Sequence, residues 1–206
     1  MSLRDEIYEQ PVVLQRLIDE GWAHINEVAE IIQQRQIDYA FLAARGTSDH
    51  AGLYAKYLWG AYNRLPVALA TPSLFSLYEL PPRLNSALVM GISQSGQSPA
   101  IISVVKEGRE QGALTLAITN APRSPLAEMA ELVVDIGAGT EMAVAATKTY
   151  TAQLLTIALL SVAMQRDIEQ LAVLRQLPEW ISEALNLGSE IARAAQRYRY
   201  MEQCVV

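Results

Sequence analysis

Hydrophobic residues in the middle of the chain form short continuous runs. Each run is followed by small polar residues and then by a helical pattern. The five runs cover residues 39–44, 66–70, 87–92, 114–119 and 132–136. A continuous apolar run is typical of a strand that is buried on both faces of a parallel sheet. Because helical segments separate the runs, the pattern predicts an α/β fold in which helices cover both faces of a doubly wound, five-stranded parallel sheet.

Helical patterns also precede the predicted sheet. Residues 3–35 have helical spacing of apolar positions, and Pro11 and Gly21 are expected to divide them into a short lead and two helices over residues 12–20 and 22–34. After the first predicted strand, a helix is expected to begin at Ala51.

The chain beyond the fifth strand is predicted to be helical. A long apolar helix should begin at Thr149, and further helices are expected over residues 167–200, with breaks near Pro178 and Gly188. Residues 201–206 resemble the beginning of a strand. This indicates that the chain stops inside the first strand of a second, similar domain, with a lone C-terminal edge strand as the alternative.

Three parts of the chain are therefore expected. They are an N-terminal helical lead over residues 1–38, the sheet domain over residues 39–165, and a helical linker with a possible further strand over residues 166–206.

Composition narrows the class of protein. The 206 residues carry a net charge of −6 and contain no basic run, so a nucleic-acid partner is not expected. The single cysteine, Cys204, excludes an intrachain disulfide and a multi-cysteine metal site and fits a reducing cytoplasm. The first thirty residues lack the pattern of a signal peptide, and the longest apolar stretch, residues 154–164, is too short to span a bilayer. A soluble cytoplasmic protein without a membrane partner is expected.

The loop after the third strand has the chemistry of an anion site. Residues 93–98 supply three serines and one glutamine, and Ser98 followed by Pro99 is a favourable N-cap and first helical residue. A strand that ends at a helix N-terminus leaves backbone N–H groups pointing at one spot, which suits a phosphate. An ordinary serine-rich turn is the alternative from the local pattern alone.

Three loops should meet at the carboxyl end of the sheet, namely residues 46–48, 93–98 and 140–148. Their candidate donors are the side chains of Thr47, Ser48, Ser93, Gln94, Ser95 and Ser98. Neither a Walker loop nor a G-x-G-x-x-G fingerprint is present, so no nucleotide cofactor is expected, and no metal site is expected either.

Other polar residues near these loops have simpler interpretations. Thr47 and Ser48 could instead cap the following helix, and Arg45 is expected to be an ion-pair partner. Glu141 and Lys148 are expected to pair with each other or with a neighbouring domain, with lining the site as the alternative. His50 is expected to be buried and hydrogen-bonded.

Taken together, five segments resemble the sugar isomerase (SIS) domain family. The likeness is closest to the first SIS domain of the isomerase half of glutamine–fructose-6-phosphate aminotransferase, also called glucosamine-6-phosphate synthase. The segments are EIYEQP at residues 6–11, RGTS at 45–48, ISQSG at 92–96, GTE at 139–141 and VAATK at 144–148. They span nearly the whole chain in the same order and at compatible spacing.

The resemblance implies a flavodoxin-like domain that binds a phosphorylated sugar such as fructose 6-phosphate or glucosamine 6-phosphate. By matching position, the phosphate would be held by Ser93, Gln94, Ser95 and Ser98. Thr47 and Ser48 would lie along the sugar, and Val144 and Ala145 would offer backbone contacts. Ala146 stands where the synthases usually have serine and Gln97 where they usually have glutamate, so the substrate preference is expected to differ.

The resemblance also implies that catalytic groups lie elsewhere. The sequence begins where the isomerase half begins, so no glutaminase domain is expected. In the family, the glutamate, histidine and lysine that open the ring and move the proton come from the second domain and the C-terminal tail. No catalytic residue is assigned here, and Glu141 and His50 are the only substitutes for the base.

Three functions follow from these expectations. The first is the sugar-binding half of a sugar-phosphate isomerase, aminosugar deaminase or deglycase. The second is a non-catalytic module that binds a sugar phosphate as a regulatory signal. The third is an assembly domain, since the long helix from Thr149 could pack across the interface of a homodimer, and a homodimer is expected.

Overall fold

The computed structural model describes residues 2–203 and is built on a five-stranded parallel sheet. Its strands are β1 (Tyr39–Ala43), β2 (Val67–Leu69), β3 (Ala87–Ser93), β4 (Leu114–Thr119) and β5 (Leu132–Asp135). They lie in the order β2-β1-β3-β4-β5, and every neighbouring pair is parallel. This is the flavodoxin-like order, in which the chain changes direction across the sheet between β1 and β3. The five predicted strands and the predicted fold class are confirmed.

Helices connect and flank the strands. The α-helices are α1 (Leu3–Tyr8), α2 (Gln10–Gln34), α3 (Thr47–Leu58), α4 (Ser73–Ser76), α5 (Pro99–Glu110), α6 (Pro125–Met129), α7 (Lys148–Gln165), α8 (Ile168–Leu174), α9 (Leu177–Leu185) and α10 (Gly188–Ala195). A π-helical turn, Trp59–Asn63, extends α3, and a 3₁₀ turn, Gln196–Tyr198, follows α10.

The sheet is buried on both faces. All seven residues of β3 are buried, and five of them alternate between two hydrophobic clusters. Leu88, Met90 and Ile92 belong to the cluster that contains α2, α3 and α7, whereas Ala87 and Val89 belong to the cluster that contains α5 and α6. Burial on both faces is the physical reason for the continuous apolar runs in the sequence.

The N-terminal helices differ from the prediction. Gly21 does not end a helix, because α2 runs without a break from Gln10 to Gln34. A glycine inside a helix costs only about 1 kcal/mol relative to alanine. The apolar face of α2 on both sides of Gly21, which includes Leu17, Ile18 and Ile25, is buried in the core and outweighs that cost.

The predicted start of the helix after β1 was wrong, whereas the predicted long apolar helix after β5 is confirmed as α7. α3 begins at Thr47 and not at Ala51, since Gly46 takes a positive φ of 59° and serves as the N-cap. α7 extends one residue beyond each end of the predicted helix and lies in the core of the chain, with Leu155, Ile157 and Leu159 nearly inaccessible to solvent. It therefore gives no support to an assembly interface, and the expected homodimer stays a prediction.

The C-terminal region is helical, with breaks close to the predicted ones. α9 begins at Leu177, next to Pro178, and α10 begins at Gly188. Residues 201–203 are not in a strand, and the rest of the strand predicted there, residues 204–206, lies outside the described residues. Within residues 2–203, the structure has no helix with the length and apolar character needed to cross a membrane.

Candidate functional site

The junction between β1 and α3 forms one wall of the candidate site. Gly46 turns the chain at the end of β1, and Thr47 and Ser48 are the first two residues of α3. No hydrogen bond joins either hydroxyl to another described residue, so the alternative that they cap the helix is wrong. Both hydroxyls lie at a helix N-terminus, where backbone N–H groups favour an anion.

The loop between β3 and α5 forms the opposite wall. The Ser93 hydroxyl accepts the N–H of Gly96 at 3.1 Å, and the Ser95 hydroxyl accepts the N–H of Gln97 at 3.3 Å. Ser98 is the N-cap of α5, as predicted, but its side chain makes no capping hydrogen bond. The loop thus holds its own shape and leaves the Ser98 hydroxyl available to a ligand.

These two walls enclose a cavity of about 250 Å³, because β1 and β3 are neighbours in the sheet. The third side comes from the loop after β5 and from α7. The lining residues are Arg45, Thr47, Ser48, Ile92, Ser93, Gln94, Ser95, Ser98, Ile101, Val144, Ala146, Thr149 and Gln153. Seven of the eight predicted site residues line this cavity, and Ala145 is not among the lining residues.

The lining favours a negatively charged ligand. The N-termini of α3 and α5 both reach the cavity, and each carries a partial positive charge. Arg45 is exposed and lines the cavity, and it forms no ion pair with any residue between 2 and 203, so its predicted role as an ion-pair partner is wrong. Among the described lining residues, none is a carboxylate. A protein with a net charge of −6 therefore offers an anion a site with local positive potential.

The side chain of Glu141 binds the N-terminus of α7, the helix that contributes to the third side of the cavity. Its carboxylate accepts hydrogen bonds from the N–H and hydroxyl groups of Thr147 and Thr149, and from the Gln94 amide at 3.3 Å. Burial raises the pKa of Glu141, but the hydrogen bonds from the two threonines outweigh it, so the pKa lies below the ordinary value of 4.5. Glu141 is thus an ionised structural group and a poor proton acceptor.

The predicted pairing of Glu141 with Lys148 is not made. Lys148 is 2% exposed and contacts the carboxylate of Glu9 at 2.5 Å. His50 is exposed and is not among the residues that line the cavity, so its predicted burial is wrong.

We expect Glu141→Gln to lower the free energy of unfolding at pH 7 and to make this free energy less dependent on pH in the acidic range. The folded-state pKa of Glu141 is lowered, so its contribution is present above about pH 4.5 and is lost as the pH falls through the folded-state value. Urea unfolding of both proteins at pH 7 and at decreasing pH measures this. The difference in free energy of unfolding between the wild type and Glu141→Gln should shrink as the pH falls. A difference that grows would contradict a lowered pKa of Glu141. The exposed Glu183→Gln is the matched control.

Glu6 anchors the loop that carries Val144 and Ala146. This glutamate is fully buried, and its carboxylate accepts the N–H groups of Met142 and Ala143, the latter at 3.1 Å. No local sequence signal indicates this role, because the partners lie 136 and 137 residues apart.

Gln153 is the most unusual lining residue. It lies on α7 and is 2% exposed, and its side-chain oxygen has no hydrogen-bond partner among residues 2–203. An unsatisfied buried polar group costs about 1–3 kcal/mol. Gln153 was not predicted as a site residue. The available signal was its position as the one carboxamide within the apolar run of residues 149–164.

No group of three or more histidine, cysteine, aspartate or glutamate side chains within residues 2–203 is placed to hold a metal ion.

Comparisons with known proteins agree on one family. A family model described as SIS domain matches residues 30–163. A glutamine–fructose-6-phosphate aminotransferase [isomerizing] of Thermus thermophilus is 34% identical over 208 residues, and the match covers 94% of this chain and 34% of that protein. The chain thus spans about a third of the length of the curated relatives that it matches.

Solved structures share the fold. A candidate phosphosugar isomerase from Silicibacter pomeroyi DSS-3 superposes with a TM-score of 0.89 at 37% identity, covering 95% of this chain and 60% of that one. The C-terminal domain of glucosamine-fructose-6-phosphate aminotransferase from Francisella tularensis has a TM-score of 0.79 at 24% identity, covering 95% of this chain and 58% of that one.

Proposed function

This chain belongs to the SIS domain family, and from that premise we propose that the cavity between β1 and β3 binds a phosphorylated sugar. The phosphate would lie on the loop of residues 93–98, and the sugar would extend along Thr47 and Ser48 towards Val144 and Ala146. The observation that carries the proposal is that two helix N-termini, one arginine and several unused hydroxyls meet in a cavity whose described lining contains no carboxylate.

Such a site can bind a phosphate firmly without a cluster of basic side chains. A hydrogen bond to a charged group contributes about 1.5–3 kcal/mol, and a phosphate has several oxygens that accept them. The hydroxyls of Ser95 and Ser98 and the N–H groups at the start of α5 are donors of this kind.

We further propose that the ligand is a hexose or aminohexose phosphate resembling fructose 6-phosphate or glucosamine 6-phosphate. The names of the curated relatives support this class. Ala146, which lines the cavity, removes a hydroxyl that the synthases usually supply, so the preferred sugar is expected to differ from theirs. The whole protein would then be an isomerase, aminotransferase or deglycase for sugar phosphates.

A regulatory binding module is the second candidate function. One observation favours it for this chain: among the described residues that line the cavity, none is a histidine or a carboxylate that could serve as the base for aldose–ketose interconversion. Measuring interconversion of fructose 6-phosphate and glucose 6-phosphate by this chain separates the two candidates, because the regulatory function predicts binding without turnover.

Binding is tested by thermal unfolding with and without hexose phosphates. At 100 times the dissociation constant, a ligand stabilises a protein by about 2.7 kcal/mol, which corresponds to a rise in melting temperature of about 5–10 °C for a chain of this size. We expect Ser95→Ala and Ser98→Ala each to weaken binding by about 10- to 100-fold and so to remove roughly half of that rise at the lower limit and most of it at the upper limit. Since the Ser98 hydroxyl has no partner among residues 2–203, Ser98→Ala should leave the ligand-free melting temperature unchanged.

The control for these variants is Ser182→Ala, which removes an exposed hydroxyl from α9. It should bind like the wild type. The proposal fails if no sugar phosphate raises the melting temperature, or if both serine variants respond as strongly as the wild type.

A further inference from the structure

One buried polar side chain in the lining of the cavity makes no hydrogen bond within residues 2–203. The polar lining residues that are buried are Ser93, Thr149 and Gln153. The Ser93 hydroxyl accepts a backbone N–H, and the Thr149 hydroxyl donates to Glu141. The Gln153 carboxamide makes no hydrogen bond with any described residue, and its oxygen is buried.

Buried polar groups in folded proteins are almost always paired, so an unpaired one that lines a cavity points to a partner in the ligand. The apolar side chains that also line the cavity, such as Ile92 and Ile101, offer Gln153 no hydrogen bond. Gln94 is different, because its amide already donates to Glu141. The two carboxamides of the cavity therefore have different roles.

The chemistry of the carboxamide limits which ligand group it can take. Its oxygen only accepts hydrogen bonds and its nitrogen only donates them, whereas an ionised phosphate has no donor to offer the oxygen. A hydroxyl can donate to the oxygen and accept from the nitrogen, so it satisfies Gln153 whichever way the amide is turned.

We propose that Gln153 binds a hydroxyl of the sugar and is the residue by which the cavity distinguishes a sugar phosphate from phosphate alone. This inference rests on the function proposed above. The cavity is large enough for both parts of such a ligand, since about 150 Å³ holds a benzene molecule and this cavity has about 250 Å³. The phosphate is held by the loop of residues 93–98, and Gln153 lies on a different element, α7.

The test compares two ligands and two variants by isothermal titration calorimetry with the full chain. Gln153→Met keeps the length and volume of the side chain and removes the carboxamide. It should weaken binding of fructose 6-phosphate by at least about fivefold. Binding of inorganic phosphate should change by less than about twofold, because Gln153 does not contact the anion. Gln170→Met, at an exposed position on α8, should change neither.

Circular dichroism of Gln153→Met checks that the variant is folded, and Gln153→Asn, which retracts the carboxamide by one methylene, serves as the second variant. A role confined to packing predicts equal losses for both ligands, and that result overturns the inference, as does unchanged binding of fructose 6-phosphate by both variants. If the wild type binds inorganic phosphate but no sugar phosphate, the proposed function itself fails.

Discussion

Replacing Gly96 with alanine is expected to lower the free energy of unfolding by about 2–5 kcal/mol and to abolish binding of phosphate esters. Gly96 has a φ of +62°, where an L side chain is strained. A Cβ at this position would lie 1.9 Å from the Ser124 hydroxyl and 2.5 Å from the Ser124 Cβ. Ser124 cannot easily move away, because its hydroxyl accepts the N–H of Ala127 as the N-cap of α6. The loop of residues 93–98 would have to change shape. Urea unfolding and calorimetric titration measure the two effects.

Gly112→Ala is the matched control. Gly112 also has a positive φ, +80°, but its added Cβ would meet nothing within 4 Å. The free energy of unfolding of this variant should fall by only about 1–2 kcal/mol, the cost of a side chain at a positive φ, and the variant should bind ligand like the wild type. Equal losses in the two variants would show that the contact with Ser124 has no effect.

The strands could be predicted closely from the sequence because a sheet buried on both faces leaves a simple pattern. The run predicted at residues 114–119 is the observed β4, and the other strands differ by one or two residues at their ends. Helix boundaries were less predictable where the core overrides local preference. Gly21 is a helix breaker by local rules, but α2 continues through it since the residues on both sides are buried in the core, where α2 packs chiefly against α7.

The candidate site was predictable where it is made of loops and less so where it is made of helices. Ser93 to Ser98 and Thr47 with Ser48 stand out because small polar residues follow apolar strands. Gln153 lies in an apolar helix, whose pattern reports burial and nothing about the group it faces. Whether these residues bind a sugar phosphate stays a prediction.

Contacts that hold the site together were the least predictable, and most of all those of Glu6, whose partners are 136 and 137 residues away in sequence. Glu6 and Glu141 fasten the loop after β5 at two points. Glu6 holds Met142 and Ala143, and Glu141 holds Thr147 and Thr149. Val144 and Ala146, which line the cavity, lie between these points. The shape of this side of the site therefore depends on two carboxylates, of which one comes from the N-terminal helix.

Glu6→Ala is accordingly expected to lower the free energy of unfolding by about 3–5 kcal/mol, because it removes a buried carboxyl group and leaves two backbone N–H groups without their acceptor. Affinity for a sugar phosphate should fall as well, since Val144 and Ala146 lose their fixed position. Urea unfolding gives the stability, and hydrogen exchange of the Met142 and Ala143 amides gives the local effect. Both amides should be protected in the wild type and should exchange at least about tenfold faster in the variant, a rate ratio that corresponds to about 1.4 kcal/mol of opening free energy.

Glu20→Ala separates this effect from the general loss of a carboxylate, because Glu20 is exposed on α2 and its side chain forms no hydrogen bond with another described residue. Its stability should change by less than about 0.5 kcal/mol, and the two amides should stay protected. If Glu6→Ala instead destabilises the protein while Met142 and Ala143 remain protected, Glu6 contributes only to packing of α1. The loop would then keep its shape without this anchor, and Glu141 alone would suffice to position that side of the cavity.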